Sequence, residues 1–276
     1  IRRLSDYLTT LVNGTAPLLV PANNQEGELS ILENNIYKTA RKLQTQAELM
    51  QKDKTYLADA LADVSHQLKT PITSMTVMTD LLLEADLPAE QRLEFLHGIS
   101  AQLEKMQWMI TTLLKISKFD AGTAVLHKEP VELAAVVEQA LAPFIIQAEL
   151  RQMTLAVDCR QGQFLGDRLW TVEAVQNIVK NCLEHMDNGG TLRLTGTQTV
   201  LYCQLVIADD GCGIEKEDLP HIFERFYKGK NAGPDSVGIG LALSKSVLNR
   251  ENATVEVQST VGVGTTFTIR FYRNII

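Results

Sequence analysis

The sequence has no CxxC pair; its four cysteines, Cys159, Cys182, Cys203 and Cys212, are scattered. That spacing excludes a zinc ribbon or a disulfide framework and reads as reduced thiols. No HExxH occurs among the five histidines, so the metalloprotease helix is excluded. No GxxxxGKS/T occurs, which excludes a P-loop as a nucleotide site. Basic excess is also missing. With 26 Lys and Arg against 33 Asp and Glu, the net charge is -7, and no basic field draws nucleic acid. No apolar run approaches the ~18 residues that cross a bilayer. There are no internal repeats and no low-complexity tail. An initiator Met and a secretory signal are lacking too. The chain opens on "IRRLSDYL", whose two arginines suit the cytoplasmic flank of a membrane helix placed before residue 1. An arbitrary boundary with surface arginines is the alternative.

What is present is ordinary globular composition. The 276 residues, 45% hydrophobic and 21% charged, suggest about two domains. Residues 1–13 read as a short helix, 13–27 as a connector rich in Asn, Gly and Pro, and 28–50 as a second helix with apolar residues at helical spacing. A long periodic run follows through Leu57, Leu61, Val64, Leu68, Ile72, Met75 and Leu82. "EADLPAE" (84–90) breaks it. A second series runs through Leu93, Leu96, Ile99, Leu103, Met106, Ile110, Leu113 and Ile116. Two amphipathic helices around a short turn form an antiparallel hairpin. Two hairpins make a four-helix bundle, so a homodimer is the economical arrangement. Packing of the hairpin on the C-terminal half is the alternative. Trp108 and Met109 read as seam or groove packing.

After residue 120 the pattern changes. Helical stretches near 131–149, 168–186 and 240–250 alternate with strand-like "MTLAVDC", "GTLRLTGTQ", "VLYCQLVIADD", "ATVEVQS" and "TTFTIRF". This predicts an α+β two-layer sandwich with mostly antiparallel strands. The fold expected is therefore multidomain: an all-α hairpin, dimerised into a four-helix bundle, followed by that sandwich.

The stretch "SHQLKTPIT" (65–73) places His66 between the apolar positions Val64 and Leu68, pointing away from the stripe. Thr70 shares its outward face. Pro71 lacks an N–H, removes the bond to the Gln67 carbonyl and is expected to loosen the helix there. An exposed neutral imidazole beside a bend is suited to nucleophilic chemistry. In the C-terminal half, "NIVKNCLEH" (177–185) sets Asn177 and Asn181 on one helical face. "DDGCGI" (209–214) supplies a carboxylate and then two glycines where backbone passes close to a ligand. "FERFYKGK" (223–230) offers aromatics and cations in a loop. "GIGLALSK" (238–245) is a glycine-rich turn whose helix-start amides suit phosphate. "GVGTTFTI" (262–269) closes the series. Leu243 stands where a dinucleotide fingerprint needs a third small residue, so that reading fails.

Taken in order, these motifs resemble the cytoplasmic portion of a bacterial membrane sensor histidine kinase. "SHQLKTPIT" is similar to the phosphoacceptor box of that family. The four C-terminal motifs are similar to its nucleotide-binding boxes. "EGELSILENNIYKTARKL" resembles the second helix of a HAMP-type relay, although the first helix lacks the usual early proline. The resemblance implies relay helices over 1–50, a dimerisation and histidine phosphotransfer hairpin over 51–120, and a GHKL (Bergerat-type) ATP-binding domain over 121–276. It implies an ATP-dependent protein-histidine kinase that phosphorylates His66 and passes the phosphoryl group to an aspartate of a response regulator. A phosphatase activity toward that partner is implied as well.

By the same resemblance, Gln67 and Thr70 join His66 as catalytic positions, with Thr70 orienting water in dephosphorylation. Asp209 accepts the adenine amine. Gly211 and Gly213 let the chain pass the base. Asn181 ligates Mg2+ and Asn177 lies near the phosphates. Gly238 and Gly240 position helix-start amides. Arg225, Lys228 and Lys230 offset phosphate charge or dock the lid, which Phe223, Phe226 and Tyr227 pack. The implied cofactors are ATP and Mg2+. The implied partners are a response regulator, a second copy of the chain and a membrane reached through an N-terminal segment, but no nucleic acid. The implied location is the cytoplasmic face of the bacterial membrane. Two residues depart from the family pattern. Gln67 stands where an acid is common and cannot take a proton at neutral pH. Glu184 stands where a cation often reaches phosphate. They motivate an alternative, a nucleotide-gated regulator-binding protein with weak or no kinase activity. A chaperone- or repair-like ATPase on the same nucleotide fold would not need the histidine hairpin.

Overall fold

The computed structural model describes residues 28–84, 87–159, 162–230, 233 and 236–273. The expected short helix over 1–13 and the connector over 13–27 lie outside them. The first element, α1 (Glu28–Glu84), is a single helix of 57 residues, where the sequence pattern suggested two segments. Between its ends the chain has no glycine and one proline, so Pro71 alone opposes propagation once the helix has started. It continues through Pro71, whose ring is buried. Serine and threonine side chains along it, Ser65, Thr73, Thr76 and Thr79 among them, donate their hydroxyls to the carbonyl four residues back.

The chain divides into two compact units, residues 1–66 and 67–276. In the described part of the first there is only helix. In the second, the remainder of α1 turns into α2 (Ala89–Asp120). The break is where "EADLPAE" predicts it, with Pro88 as the N-cap of α2. Met78 packs over Gly98, where a Cβ would stand 2.9 Å from the Met78 sulfur. This lets the two helices approach closely. Along the expected seam, Ile72, Leu93, Leu96, Leu103 and Ile110 stay exposed in the single chain. At its C-terminal end α2 is anchored instead: Ile116 and Phe119 are buried, and Phe119 meets Trp170 edge-to-face at 4.7 Å.

The sandwich follows as β1 (Glu129–Glu132), α3 (Leu133–Leu141), a single 3-10 turn, α4 (Ile145–Leu150), β2 (Thr154–Asp158) and β3 (Gln163–Gly166). Then come α5 (Arg168–Glu184), β4 (Thr191–Gln198), β5 (Tyr202–Asp209), α6 (Gly240–Arg250), β6 (Ala253–Thr260) and β7 (Gly264–Tyr272). The five-stranded sheet has the order β2-β4-β5-β7-β6. All neighbours are antiparallel except β2 and β4, which are parallel. Burial alternates along β5 and β7. Leu205, Ile207, Phe267 and Ile269 face α3, α5 and α6 in one hydrophobic core. The short β1–β3 pair, with Val131 opposite Phe164, was not foreseen.

One 18-residue window, Leu133–Leu150, has a mean hydropathy of 1.4, contrary to the expectation that no stretch approaches a span. It is divided around Pro143 into α3 and α4, and Leu133, Val136, Val137, Ala140, Leu141 and Ala148 are buried in the sandwich core. Cys159, Cys182 and Cys203 are buried as well, while Cys212 is exposed.

Candidate active site

The site is built on α5. Asp167 caps it, its carboxylate accepting the backbone N–H groups of Leu169 and Trp170. One face of the helix, Ala174, Val175, Ile178, Val179, Cys182 and Leu183, is buried. The 3.6-residue period therefore presents Asn177, Lys180, Asn181 and Glu184 together on another face. All four line a cavity of about 460 Å3. The Asn177 side-chain N–H donates to the Glu173 carbonyl at 3.1 Å. Its Oδ1 lies toward Gly240, where a Cβ would stand 3.2 Å from it.

Strand β5 delivers Asp209 to the floor of the same cavity. Asp209 Oδ1 accepts the N–H of Gly211 at 3.0 Å and of Thr265 at 3.1 Å. Burial pushes its carboxyl above the usual range, opposed by the N–H of Gly211, then Cys182, then Thr265. The glycines around it are steric necessities. Gly213, at φ +72°, passes against the Thr260 carbonyl. A Cβ on Gly264 would overlap the carbonyl oxygen of Asp209 itself. The described residues between β5 and α6 supply further lining, among them Ile214, Asp218, Ile222 and Tyr227. Tyr227 donates its hydroxyl to Asp218 at 2.7 Å. Gly238, at φ +77°, packs on the Tyr227 carbonyl and receives the Phe226 N–H at 2.8 Å. The first turn of α6 then opens at Gly240, bringing its unpaired amides to the cavity.

Of the residues singled out in the sequence, Asn177, Asn181, Asp209, Gly213, Lys228, Gly238 and Gly240 line this one cavity. Gly211 is buried behind Asp209, against the His185 carbonyl. Arg225 lies off the lining. Its guanidinium is ion-paired with Asp120 at the end of α2, the docking use rather than the phosphate use. Lys230 pairs with Glu217 at 3.6 Å. Lys228 Nζ donates to Gln67 Oε1 at 3.4 Å; burial lowers its pKa, with the charge of Lys105 as the second cause. His66 and Thr70 are both exposed on α1. Glu184 pairs with Lys180 at 3.7 Å.

Among the lining residues that sequence reasoning did not place in the site, several come from α2. Ala101, Glu104, Lys105 and Trp108 line the cavity, and Lys180 Nζ stands 5.0 Å from the centroid of the Trp108 ring. A signal was available: Ala101, Lys105 and Trp108 step by four and three, a second stripe beside the apolar seam. His185 also lines the cavity, and its carbonyl accepts the Cys212 N–H at 3.1 Å. Among the described residues there is no cluster of three acidic, His or Cys side chains able to hold a metal alone. A cation here would need oxygens from a ligand as well as from Asn181.

Residues 56–122 match the family model described as the His Kinase A (phospho-acceptor) domain. Residues 166–275 match the histidine kinase-, DNA gyrase B- and HSP90-like ATPase. The sensor-like histidine kinase SenX3 of Mycolicibacterium smegmatis is 30% identical over 216 residues, covering 76% of this chain and 56% of that protein. The signal transduction histidine-protein kinase/phosphatase MprB of Mycolicibacterium vanbaalenii is 30% identical over 217 residues, covering 75% and 44%. The chain thus spans about half the length of the curated relatives it matches. The solved structure of histidine kinase ThkA, in complex with its response regulator protein TrrA, shares the fold with a TM-score of 0.65 at 15% identity, over 81% of this chain and 64% of that one.

Proposed function

Since this chain belongs to the sensor histidine kinases, we propose that it transfers the γ-phosphoryl group of ATP to His66 and then to an aspartate of a response regulator. The domain reading is relay helices over 1–50, a phosphotransfer hairpin over 51–120 and an ATP-binding domain over 121–276. The observation that carries the proposal is the convergence of Asn177, Asn181, Asp209, Gly213, Gly238 and Gly240 on one cavity. These residues come from α5, the end of β5 and the start of α6, and only the fold gathers them.

In this reading Asp209 accepts the adenine amine and selects the base. The α6 amides at Gly240 and the Lys228 ammonium hold the phosphates. Asn181 Oδ1, with Glu184 one turn on, would hold Mg2+ with hard oxygens. When bound, the ion would offset phosphate charge. Phosphoryl transfer then needs alignment more than covalent help from the protein. A bond forms between an imidazole nitrogen of His66 and the γ-phosphorus; the bridging bond to the β-phosphate breaks and ADP leaves. The displaced imidazole proton passes to solvent or phosphate, because the neighbouring Gln67 amide cannot accept it. Thr70, exposed on the same helix, would orient water for hydrolysis of the regulator's aspartyl phosphate, releasing inorganic phosphate; a relative described as a kinase/phosphatase supports that activity. The response regulator is the partner by analogy with the ThkA complex. The uncovered seam of the hairpin supports a homodimer. We place the chain at the cytoplasmic face of a membrane, as its sensor histidine kinase relatives suggest.

The nucleotide-gated binder is the second reading, favoured by Gln67 and Glu184. The Glu184–Lys180 pair weakens it by offsetting the carboxylate. Incubation with γ-labelled ATP and Mg2+ separates the two. An acid-labile, base-stable label that His66→Ala abolishes, with nucleotide binding retained, is expected. Unlabelled protein that still binds ATP would favour the binder.

A further inference from the structure

At the opposite end of α5 and α6 from the cavity, two carboxyl groups and a hydroxyl are buried together. They sit where the end of α6 meets the start of α5. Asp167, Thr171 and Glu251 are 5%, 0% and 2% exposed. Glu251 Oε1 accepts the Asp167 N–H at 2.7 Å. Glu251 Oε2 lies 2.7 Å from Thr171 Oγ1, and the same Oγ1 lies 2.8 Å from the Asp167 carbonyl oxygen. That hydroxyl has one proton and faces two acceptors. If Glu251 is ionised, one of these contacts sets two lone pairs against each other. If Glu251 is protonated, both contacts are satisfied. The Glu251 O–H donates to Thr171 Oγ1, and the Thr171 O–H donates to the carbonyl.

We propose that Glu251 keeps a proton in the folded protein and acts as a positioning residue, its neutral carboxyl locking the ends of α5 and α6 opposite the nucleotide cavity. Toward their other ends the two helices carry Asn177, Asn181 and Gly240. Asn177 follows Asp167 by ten residues, ~15 Å along the helix axis. The Ser244 hydroxyl ties α6 to α5 by donating to the Ala174 carbonyl at 2.8 Å, so a change at one end is carried along a rigid pair. The lock also reaches the segment after the hairpin, because Asp167 Oδ2 accepts the His127 N–H at 2.9 Å. The role in nucleotide binding rests on the ATP reading above; the proton does not.

The surrounding charges agree. Burial pushes the Glu251 carboxyl up to about 7; the Thr171 and Asp167 hydrogen bonds oppose this, the Asp167 carboxylate reinforces it, and Lys128 opposes it. Of the other charged groups nearby, Arg250 is engaged with the Gly122 carbonyl at 2.7 Å, and the His127 side chain is exposed. Because the folded value is raised, the stabilisation is complete below the ordinary carboxyl range. It is lost as pH rises through about 7.

The test compares the intact chain with Glu251→Gln and Glu251→Ala between pH 6 and pH 8. A 13C titration of the Glu251 carboxyl is run alongside. The carboxyl is expected to titrate near neutrality; a midpoint in the ordinary range below pH 5 overturns the proposal. Gln supplies an N–H to Thr171 and an acceptor to the Asp167 N–H at every pH. The wild-type unfolding temperature should therefore fall with pH while that of Glu251→Gln stays flat, and Glu251→Ala should be lower throughout. Affinity for Mg·ATP, taken relative to Glu251→Gln, should fall several-fold over the same range. Parallel profiles for wild type and Glu251→Gln, or a Gln variant as unstable at pH 6 as the Ala variant, overturn the lock. If none of the three proteins binds Mg·ATP, the ATP reading fails, while the carbon titration still decides the proton.

Discussion

Replacing Asp209 by Asn should move binding and stability in opposite directions. Asp209 is 9% exposed, and burial is the largest influence on its carboxyl. Its Oδ1 holds the Gly211 and Thr265 amides, and an Asn Oδ1 can accept both. What Asn cannot supply is a full carboxylate facing the cavity. A hydrogen bond to a charged group contributes roughly 1.5–3 kcal/mol. Its loss corresponds to about a 10- to 150-fold weaker dissociation constant for ATP at ~1.4 kcal/mol per tenfold. Stability should change the other way. The folded-state pKa is raised, so ionisation disfavours the fold once pH exceeds the ordinary carboxyl range, and Asn removes that penalty. Calorimetry would then record a higher unfolding temperature at neutral pH together with weaker ATP binding by titration. The same sign predicts that wild-type ATP affinity falls on acidification at a pH above that of an ordinary carboxyl. A variant that loses unfolding temperature and affinity together would refute the reasoning and make Asp209 a structural strut.

Two further outcomes test the site. Asn181→Ala should bind ATP with nearly equal affinity with and without Mg2+, where the parent protein shows a clear Mg2+ dependence; a variant with the parental dependence would remove Asn181 from the ion. Thr70→Ala should accept label on His66 at the parental rate but slow the loss of phosphate from the phosphorylated regulator by tenfold or more; equal decay curves would reject the role of Thr70.

The long strands were legible because their periods are unbroken, whereas the helical stretch expected near 131–149 begins in β1 and is divided around Pro143 into α3 and α4. "VLYCQLVIADD" and "TTFTIRF" alternate over enough residues to fix β5 and β7. The pattern over 168–186 begins where α5 begins, because Asp167 caps it, and runs two residues past its end. The β1–β3 pair was not legible. "EPVE" and "QFLG" are four residues each, and neither alternates convincingly. They are strands only because residues over thirty positions apart pair, a tertiary effect that local pattern cannot carry. The parallel β2–β4 step was hidden for the same reason. In the site, the glycines and asparagines could be read from order and spacing. The stripe of Ala101, Lys105 and Trp108 was legible as a stripe, but not as a cavity wall, since an aromatic on a bundle helix has the same periodic signature whether it fills a seam or walls a cavity. The Glu251 cluster has no motif. It exists because a helix end meets a helix start, and its proton is counted from distances.

The distribution of cysteines has a practical consequence for watching this domain work. Burial pushes the thiols of Cys159 and Cys203 up to about 11 and that of Cys182 higher than usual, so none of them offers appreciable thiolate near neutral pH. Cys212 is exposed and sits between Gly211 and Gly213, on the turn beside Asp209. A thiol-directed fluorophore therefore meets one accessible sulfur per native chain, next in sequence to Gly213 of the cavity lining. Labelling stoichiometry reports whether the sandwich is folded, and the dye's emission reports what enters the pocket, without any engineered residue.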